Sequence, residues 1–430
     1  MIIVNKCVKI LEMYFMLGGS MKKSLLKGYA HLIARMGINV SKGQRVELRC
    51  EPEVADFACF VVEECYKLGA EKVEVLFESQ ELSRLHIEYR EEKILATVEN
   101  WEEERLKYRL EKLPATIYLL SEDPDGLVGI DQEKYGRSTQ ERYKVIKPYR
   151  DAMDNKYPWC IAAVPGKAWA KKMFPELTPK KAVERLWEAI LYTSRADGDN
   201  PVKAWQEHNR SLSERCRYLN SLEIEALHYV SSNGTDLTVG MIPEARFCAG
   251  AETTLSGQVF NPNIPSEEVF ISPKKGVAEG IVYSSKPLSY RGELIENFSL
   301  RFEKGRVVEV HAEKNEELLK ILVSMDEGAS YLGECALVPY DSPISDTGLL
   351  FYNTLFDENA SCHLALGEGF TNTLENYETL TLDDCRKLGI NESMVHEDFM
   401  IGTRDLSITA RTRDGREVEI FRNGNWAFDV

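Results

Sequence analysis

The sequence predicts an N-terminal α/β unit built on an open, mostly parallel sheet, joined to a C-terminal α+β unit with mixed or antiparallel sheet. Three observations predict this. After Met21 the hydrophobic pattern alternates between helical and strand periods. The strands of the first half are almost continuously apolar, as in a sheet covered on both faces. Beyond about residue 220 the texture changes to short strands punctuated by glycines at 234, 240, 257, 276, 292 and 305.

The elements follow in order. Leu25, Tyr29, Leu32, Ile33 and Met36 recur at three- and four-residue spacing and define a helix that Gly37 ends. Val46, Leu48 and Cys50 alternate as a strand. Val54, Phe57, Ala58, Val61, Cys65 and Leu68 form a second helical stripe, with Pro52 near its start and Gly69 past its end. Val73, Val75 and Phe77 make the next strand. Residues 79–112 are charged and helical, with Trp101 and Tyr108 expected as packing anchors. Thr116 to Leu120 and Cys160 to Val164 are apolar strands, and Thr178-Pro179 opens a helix carrying Leu186, Trp187 and Ile190. Asp197 to Pro201 is a turn-rich break before a polar helical segment that runs to about residue 220. Ile295 to Phe302, Gly305 and Val307 to Val310 read as a hairpin, followed by a helix over 315–325. The expected division is a unit over 21–215 and one over 216–430. Residues 1–20 read as an N-terminal extension, because Lys6, Lys9 and Glu12 break the apolar run a signal peptide needs.

Charge and composition exclude several functions. Lys+Arg is 53 against Asp+Glu 69, a net charge of −16 that repels phosphate backbones, so nucleic acid is a poor partner. No uninterrupted apolar run is long enough to cross a membrane. The ten cysteines are scattered with no CxxC pair, which suits reduced thiols in a cytoplasmic protein. No GxGxxG or phosphate-loop motif occurs, so a nucleotide cofactor is not expected.

Chemistry concentrates in the second half. Glu334 is a single carboxylate inside the apolar strand Tyr331 to Val338, and a buried carboxylate needs a cation, a proton or a metal. Glu358 and His363 stand five apart beside small residues. His396 and Asp398 are two apart and share a strand face. The pair Glu267 and Glu268 enters another apolar strand. Oxygen and nitrogen ligands without thiolate suit Zn, Co or Mn in a hydrolytic centre, and this many carboxylates suits two metals with shared ligands. From spacing alone, chance surface charges and a buried salt bridge at Glu334 remain equally open.

Several stretches resemble the thermophilic-type metallo-aminopeptidases, the aminopeptidase T and aminopeptidase S group. They are Phe260 to Val269, Asp341 to Ser345, Phe351 to His363, Phe399 to Gly402 and Phe421 to Trp426. The resemblance runs from about Met21 to the C-terminus and is densest after residue 258. It implies a cytoplasmic, homodimeric exopeptidase with two divalent metal ions that removes N-terminal residues from peptides with broad preference. It also implies Glu268, Glu334, Glu358, His363, His396 and Asp398 as metal ligands. One position departs. The family usually carries a tyrosine seven residues after the first histidine, a ligand or catalytic hydroxyl, and Phe370 stands there. A phenyl ring neither donates a proton nor binds a metal.

Within this reading the proton carrier is a carboxylate outside the metal ligands, with Glu267 the nearest candidate. Adjacent strand residues face opposite ways, so Glu267 serves only if the backbone there is irregular. The first unit would wall off the site and restrict it to small peptides. Two rivals stay open: a non-catalytic, metal-stabilised peptide-binding protein, favoured by Phe370, and another dinuclear amide hydrolase.

Overall fold

A computed structural model describes residues 22–430; the N-terminal extension expected over 1–20 lies outside the described residues. The first half alternates as its periodicity dictates. Strands β1 (Arg45–Cys50), β2 (Lys72–Phe77), β3 (Ala115–Leu120) and β4 (Trp159–Ala163) form a parallel sheet in the order β4-β3-β1-β2. A fifth parallel strand, Asn263–Ile264, adds to β4 from the second half of the chain.

One face of this sheet is apolar. Leu48, Ile117 and Cys160 pack there with Tyr29, Phe57, Val61 and Ile190 from flanking helices. The later segment that includes Ile344, Phe351 and Phe356 enters the same core. The other face carries Arg49, Tyr118 and Ile161 near the strands' carboxyl ends and borders a cavity rather than a core. In open parallel sheets that end is where ligands bind.

Periodicity in the sequence marks no element over 121–158. A 22-residue helix, Gln132–Met153, fills most of that gap. Trp101 is a correction: it is not a packing anchor but stands 66% exposed at the cavity. Its helix, Asn100–Lys112, is fixed instead by polar contacts, among them Tyr108 with Arg45.

Besides a short two-stranded sheet, Glu252–Thr253 with Val259–Phe260, the second half holds two large sheets. One is a nine-stranded antiparallel sheet running from residue 224 to the C-terminus, which includes the expected hairpin as Glu293–Glu303 and Arg306–Lys314. The other carries the site. Its strands β5 (Val269–Ile271), β6 (Leu332–Leu337), β7 (His363–Gly367) and β8 (His396–Met400) lie in sequence order, all antiparallel, and Cys248–Ala249 closes the edge beyond β5. Among the described residues no helix is long and apolar enough to cross a membrane, and all nine cysteines are free thiols.

Candidate metal centre

Strand register assembles the site. Glu334 on β6 pairs with Ala365 on β7, which pairs with Asp398 on β8. Ala336 likewise faces His363, and Gly367 faces His396. Small residues therefore alternate with ligand-type residues across one face, leaving room for the larger side chains to converge. Gly367 sits at φ +106°, and a Cβ there would meet the Val395 carbonyl at 2.0 Å, so no other residue fits beside His396.

Two triads of ligand atoms converge on that face: Glu268, Glu334 and His363, and Glu334, His396 and Asp398. Glu334 belongs to both. His396 Nε2 lies 3.1 Å from Glu334 Oε2 and 3.5 Å from Asp398 Oδ1. His363 Nε2 lies 3.3 Å from Glu268 Oε2 and 3.9 Å from Asp398 Oδ1.

Each imidazole is oriented from behind. His363 Nδ1 donates to the Glu358 carbonyl at 2.8 Å, and His396 Nδ1 donates to the Glu368 carbonyl at 2.8 Å. A proton held on Nδ1 turns the Nε2 lone pair toward the carboxylates, as in metal-binding histidines. His363 Nε2 and Asp398 Oδ1 are buried without a hydrogen-bond partner. Two orphaned buried polar atoms facing one space, within an all-oxygen-and-nitrogen donor set, fit a divalent cation.

Charge in the cluster is unbalanced. Burial pushes Glu334 up to about 7, with only partial relief from its contact with His396. Burial and the neighbouring Asp398, Glu268 and Glu334 push Glu358 well above the usual carboxylate range. Burial disfavours the His363 cation, yet Glu268 and Asp398 outweigh it and raise that imidazole to about 9. Burial also opposes ionisation of Asp398, but the two imidazoles hold it below its ordinary value.

The other expected residues separate. Glu358, in the turn Glu358–Ala360, lines the cavity and accepts from Asn359 Nδ2 at 3.2 Å, but belongs to neither triad. Phe370 is at the centre: its ring lies 4.7 Å from that of His396 and 5.6 Å from that of Phe270. Glu267 is not brought to the cavity. It forms a two-pronged ion pair with Arg195, one contact at 2.8 Å, and is 6% exposed. Its backbone N–H donates to Asn359 Oδ1 at 2.7 Å, so it positions the segment just before β5 that presents Glu268.

Spacing did not flag Asp154, Glu252 and Glu368, which also line the cavity. Burial raises Glu252 and Glu368 to about 7 each. They come from separate segments, and only the tertiary fold gathers them. The cavity itself measures about 1150 Å³ and lies between the parallel sheet and the site sheet.

Residues 22–426 match the family model described as thermophilic metalloprotease (M29). The chain is 42% identical over 405 residues to "Aminopeptidase AmpS" of Bacillus subtilis, covering 94% of this chain and 98% of that one. It is 40% identical to "Aminopeptidase T" of Thermus thermophilus, with the same coverage. The solved structure "Wild-type AmpT from Thermus thermophilus" superposes with a TM-score of 0.85 at 39% identity, covering 94% of this chain and all of that one.

Two predictions follow from the geometry. Glu267→Gln should cost about 3 kcal/mol, the scale of breaking a buried ion pair, and keep the metal. Glu334→Gln should leave the metal-free fold as stable at pH 8 and lose the metal. Urea unfolding beside elemental analysis separates the two.

The second concerns pH. A protonated Glu334 stabilises the folded chain fully below its ordinary 4.5, and that contribution is lost as pH rises through about 7. The His363 contribution is full below 6.5 and lost through about 9. The metal-free protein should therefore lose stability from this cluster as pH climbs across that window. A divalent cation displaces the same protons, so the rise in Tm on adding metal should be larger at pH 8 than at pH 5.5. Equal rises at the two pH values would contradict this.

Proposed function

The chain belongs to the thermophilic metalloprotease (M29) family, and from that membership we propose that it is a metal-dependent aminopeptidase that hydrolyses the N-terminal peptide bond of peptides with broad preference. The observation that carries this reading is the pair of ligand triads sharing Glu334. We read them as the residues that would hold two divalent ions, Zn, Co or Mn: Glu268, Glu334 and His363 in one triad, and Glu334, His396 and Asp398 in the other. Two such ions would supply polarisation of the scissile carbonyl and a water acidified toward neutrality.

The chain's own residues do the rest. The Glu358 and Glu368 carbonyls fix both imidazoles with Nε2 inward. Glu358 takes the place first expected of Glu267 as proton carrier. It lines the cavity, lies outside both triads and is held by Asn359, whereas Glu267 is committed to Arg195. Protonated in the metal-free chain, Glu358 would ionise beside divalent cations and would then accept the proton of the attacking water and return it to the departing amine. The acidic lining at Glu252 and Glu368 suits a substrate α-ammonium. The cavity walls, supplied partly by the first sheet, restrict access to small peptides.

The reading includes two units divided near residue 215, a cytoplasmic homodimer, and no nucleic-acid or membrane partner. The free thiols and the charge of −16 support the compartment and the partners. The dimer rests on the family resemblance.

Chelation should abolish release of leucine from leucyl peptides, and Zn, Co or Mn should restore it, with two ions bound per chain by elemental analysis. N-acetylated peptides should not be cleaved. Full activity in metal-free protein, or rapid cleavage of acetylated peptides, would overturn the reading. A further prediction rests on Phe370. Its ring already packs on His396, so Phe370→Tyr adds a hydroxyl with little repacking. One added oxyanion donor is worth about 10²–10³ in turnover. The variant's kcat should rise with Tm and metal content unchanged, which steady-state kinetics and thermal melts check.

A further inference from the structure

The cavity has two chemically opposite ends, and strand register fixes the path between them. Asn263 pairs with Ile161, Ile161 with Tyr118, and Tyr118 with Arg49, and all four line the cavity. They form one row across the parallel sheet. The row starts three residues before Ser266, whose hydroxyl donates to Glu268 Oε1 at 3.2 Å. Strands are spaced about 4.8 Å, so the row spans about 14 Å, the length of three or four extended residues.

Its far end is cationic. Arg49, Arg105 and Arg109 crowd one buried carboxylate, Glu47, at 2.8, 3.4 and 3.6 Å. Glu78 pairs with Arg49 at 3.2 Å on the exposed side, which still leaves one guanidinium charge in excess. Arg105 Nη2 and Arg109 Nε meet Glu47 only as ion pairs, without hydrogen-bond geometry, and Arg109 is only 8% exposed. Arg150 also lines the cavity and forms no ion pair among the described residues; its guanidinium lies 5.8 Å from the Tyr143 ring. Tyr157 ties the group together. Arg109 stands 5.9 Å from its ring, and although burial raises its phenol, Arg109, Arg150 and Arg49 all pull the other way.

Guanidinium groups lining a cavity in excess of their carboxylates call for an anion, and their planar fork matches a carboxylate. A peptide with its α-amine at the acidic end has one other group of that kind. We propose that Arg105, Arg109 and Arg150 receive the free C-terminal carboxylate of tri- and tetrapeptides, so that the protein selects short peptides by gripping both termini. This rests on the aminopeptidase reading above, which supplies the peptide and its direction.

The test compares Leu-Gly-Gly-Gly as free acid and as C-terminal amide on the manganese-loaded protein. The amide should raise KM about tenfold with kcat unchanged, the size of one charge-assisted hydrogen bond. In Arg150→Gln, an exposed position that does not endanger the fold, the acid and amide KM values should converge. Arg109→Lys should narrow the gap as well. A tetrapeptide whose first amide is reduced to CH2–NH cannot be cleaved there, and calorimetry should show its acid form binding about tenfold tighter than its amide. Equal KM values in the parent protein, or an acid preference that survives Arg150→Gln, would overturn the carboxylate site while leaving leucine release intact. No leucine release from either peptide, with the reduced peptide still preferring the acid form, would instead overturn the aminopeptidase reading and keep the carboxylate site.

Discussion

Four carboxylates and two imidazoles gather at one buried site on the face of the β6–β8 sheet, and the rest of the second half is arranged around the cost of holding them there. Like charges at this separation in a low-dielectric interior cannot all ionise unaided. The fold leaves the imbalance standing. Glu334 and Glu358 are driven toward their protonated forms, His363 toward its cation, and His363 Nε2 and Asp398 Oδ1 have no partner. A structural salt bridge would have been closed by a guanidinium or ammonium, as Glu267 is by Arg195. The contrast between two adjacent carboxylates, one fully paired and one open to the cavity, separates support from site.

Geometry makes that cost bearable. Ala336, Ala365 and Gly367 stand at the positions across from the ligand residues, so the charged groups lean over small neighbours instead of displacing bulky ones. Backbone carbonyls of Glu358 and Glu368 lock the imidazole tautomers, a contribution independent of side-chain identity. Asn359 reaches both directions, donating to Glu358 and accepting from the Glu267 backbone. Behind it, Phe351 and Phe356 stack at 4.5 Å and enter the core of the parallel sheet, where Trp169 Nε1 donates to the Phe351 carbonyl at 2.5 Å. The two halves are thus coupled at the segment that delivers Glu358.

Phe370 stands where the resemblance implies a tyrosine. Its ring fills the space beside His396 and Phe270, so the position is structurally satisfied and chemically silent. The ligand-type residues around it are complete.

The sequence by itself determined the alternation of helix and strand, the change of texture near residue 220 and the one-face relation of His396 and Asp398, because each follows from local period and composition. The resemblance supplied the ligand set at long range, which no spacing rule connects. Two local readings failed for want of a third dimension. Trp101 reads as an anchor because it is large and apolar, but the helix it sits on is held by polar contacts. Glu267 reads as a proton carrier because it adjoins Glu268, but its carboxylate is paired with Arg195, 72 residues away. Only the tertiary structure decided that Glu334 lies in both triads. Only it brought Asp154, Glu252 and Glu368 into the same cavity as Arg49, Arg105, Arg109 and Arg150. The physical reason is that charge interacts through space: a sequence states which residues can ionise, and the fold decides which of them share a cavity.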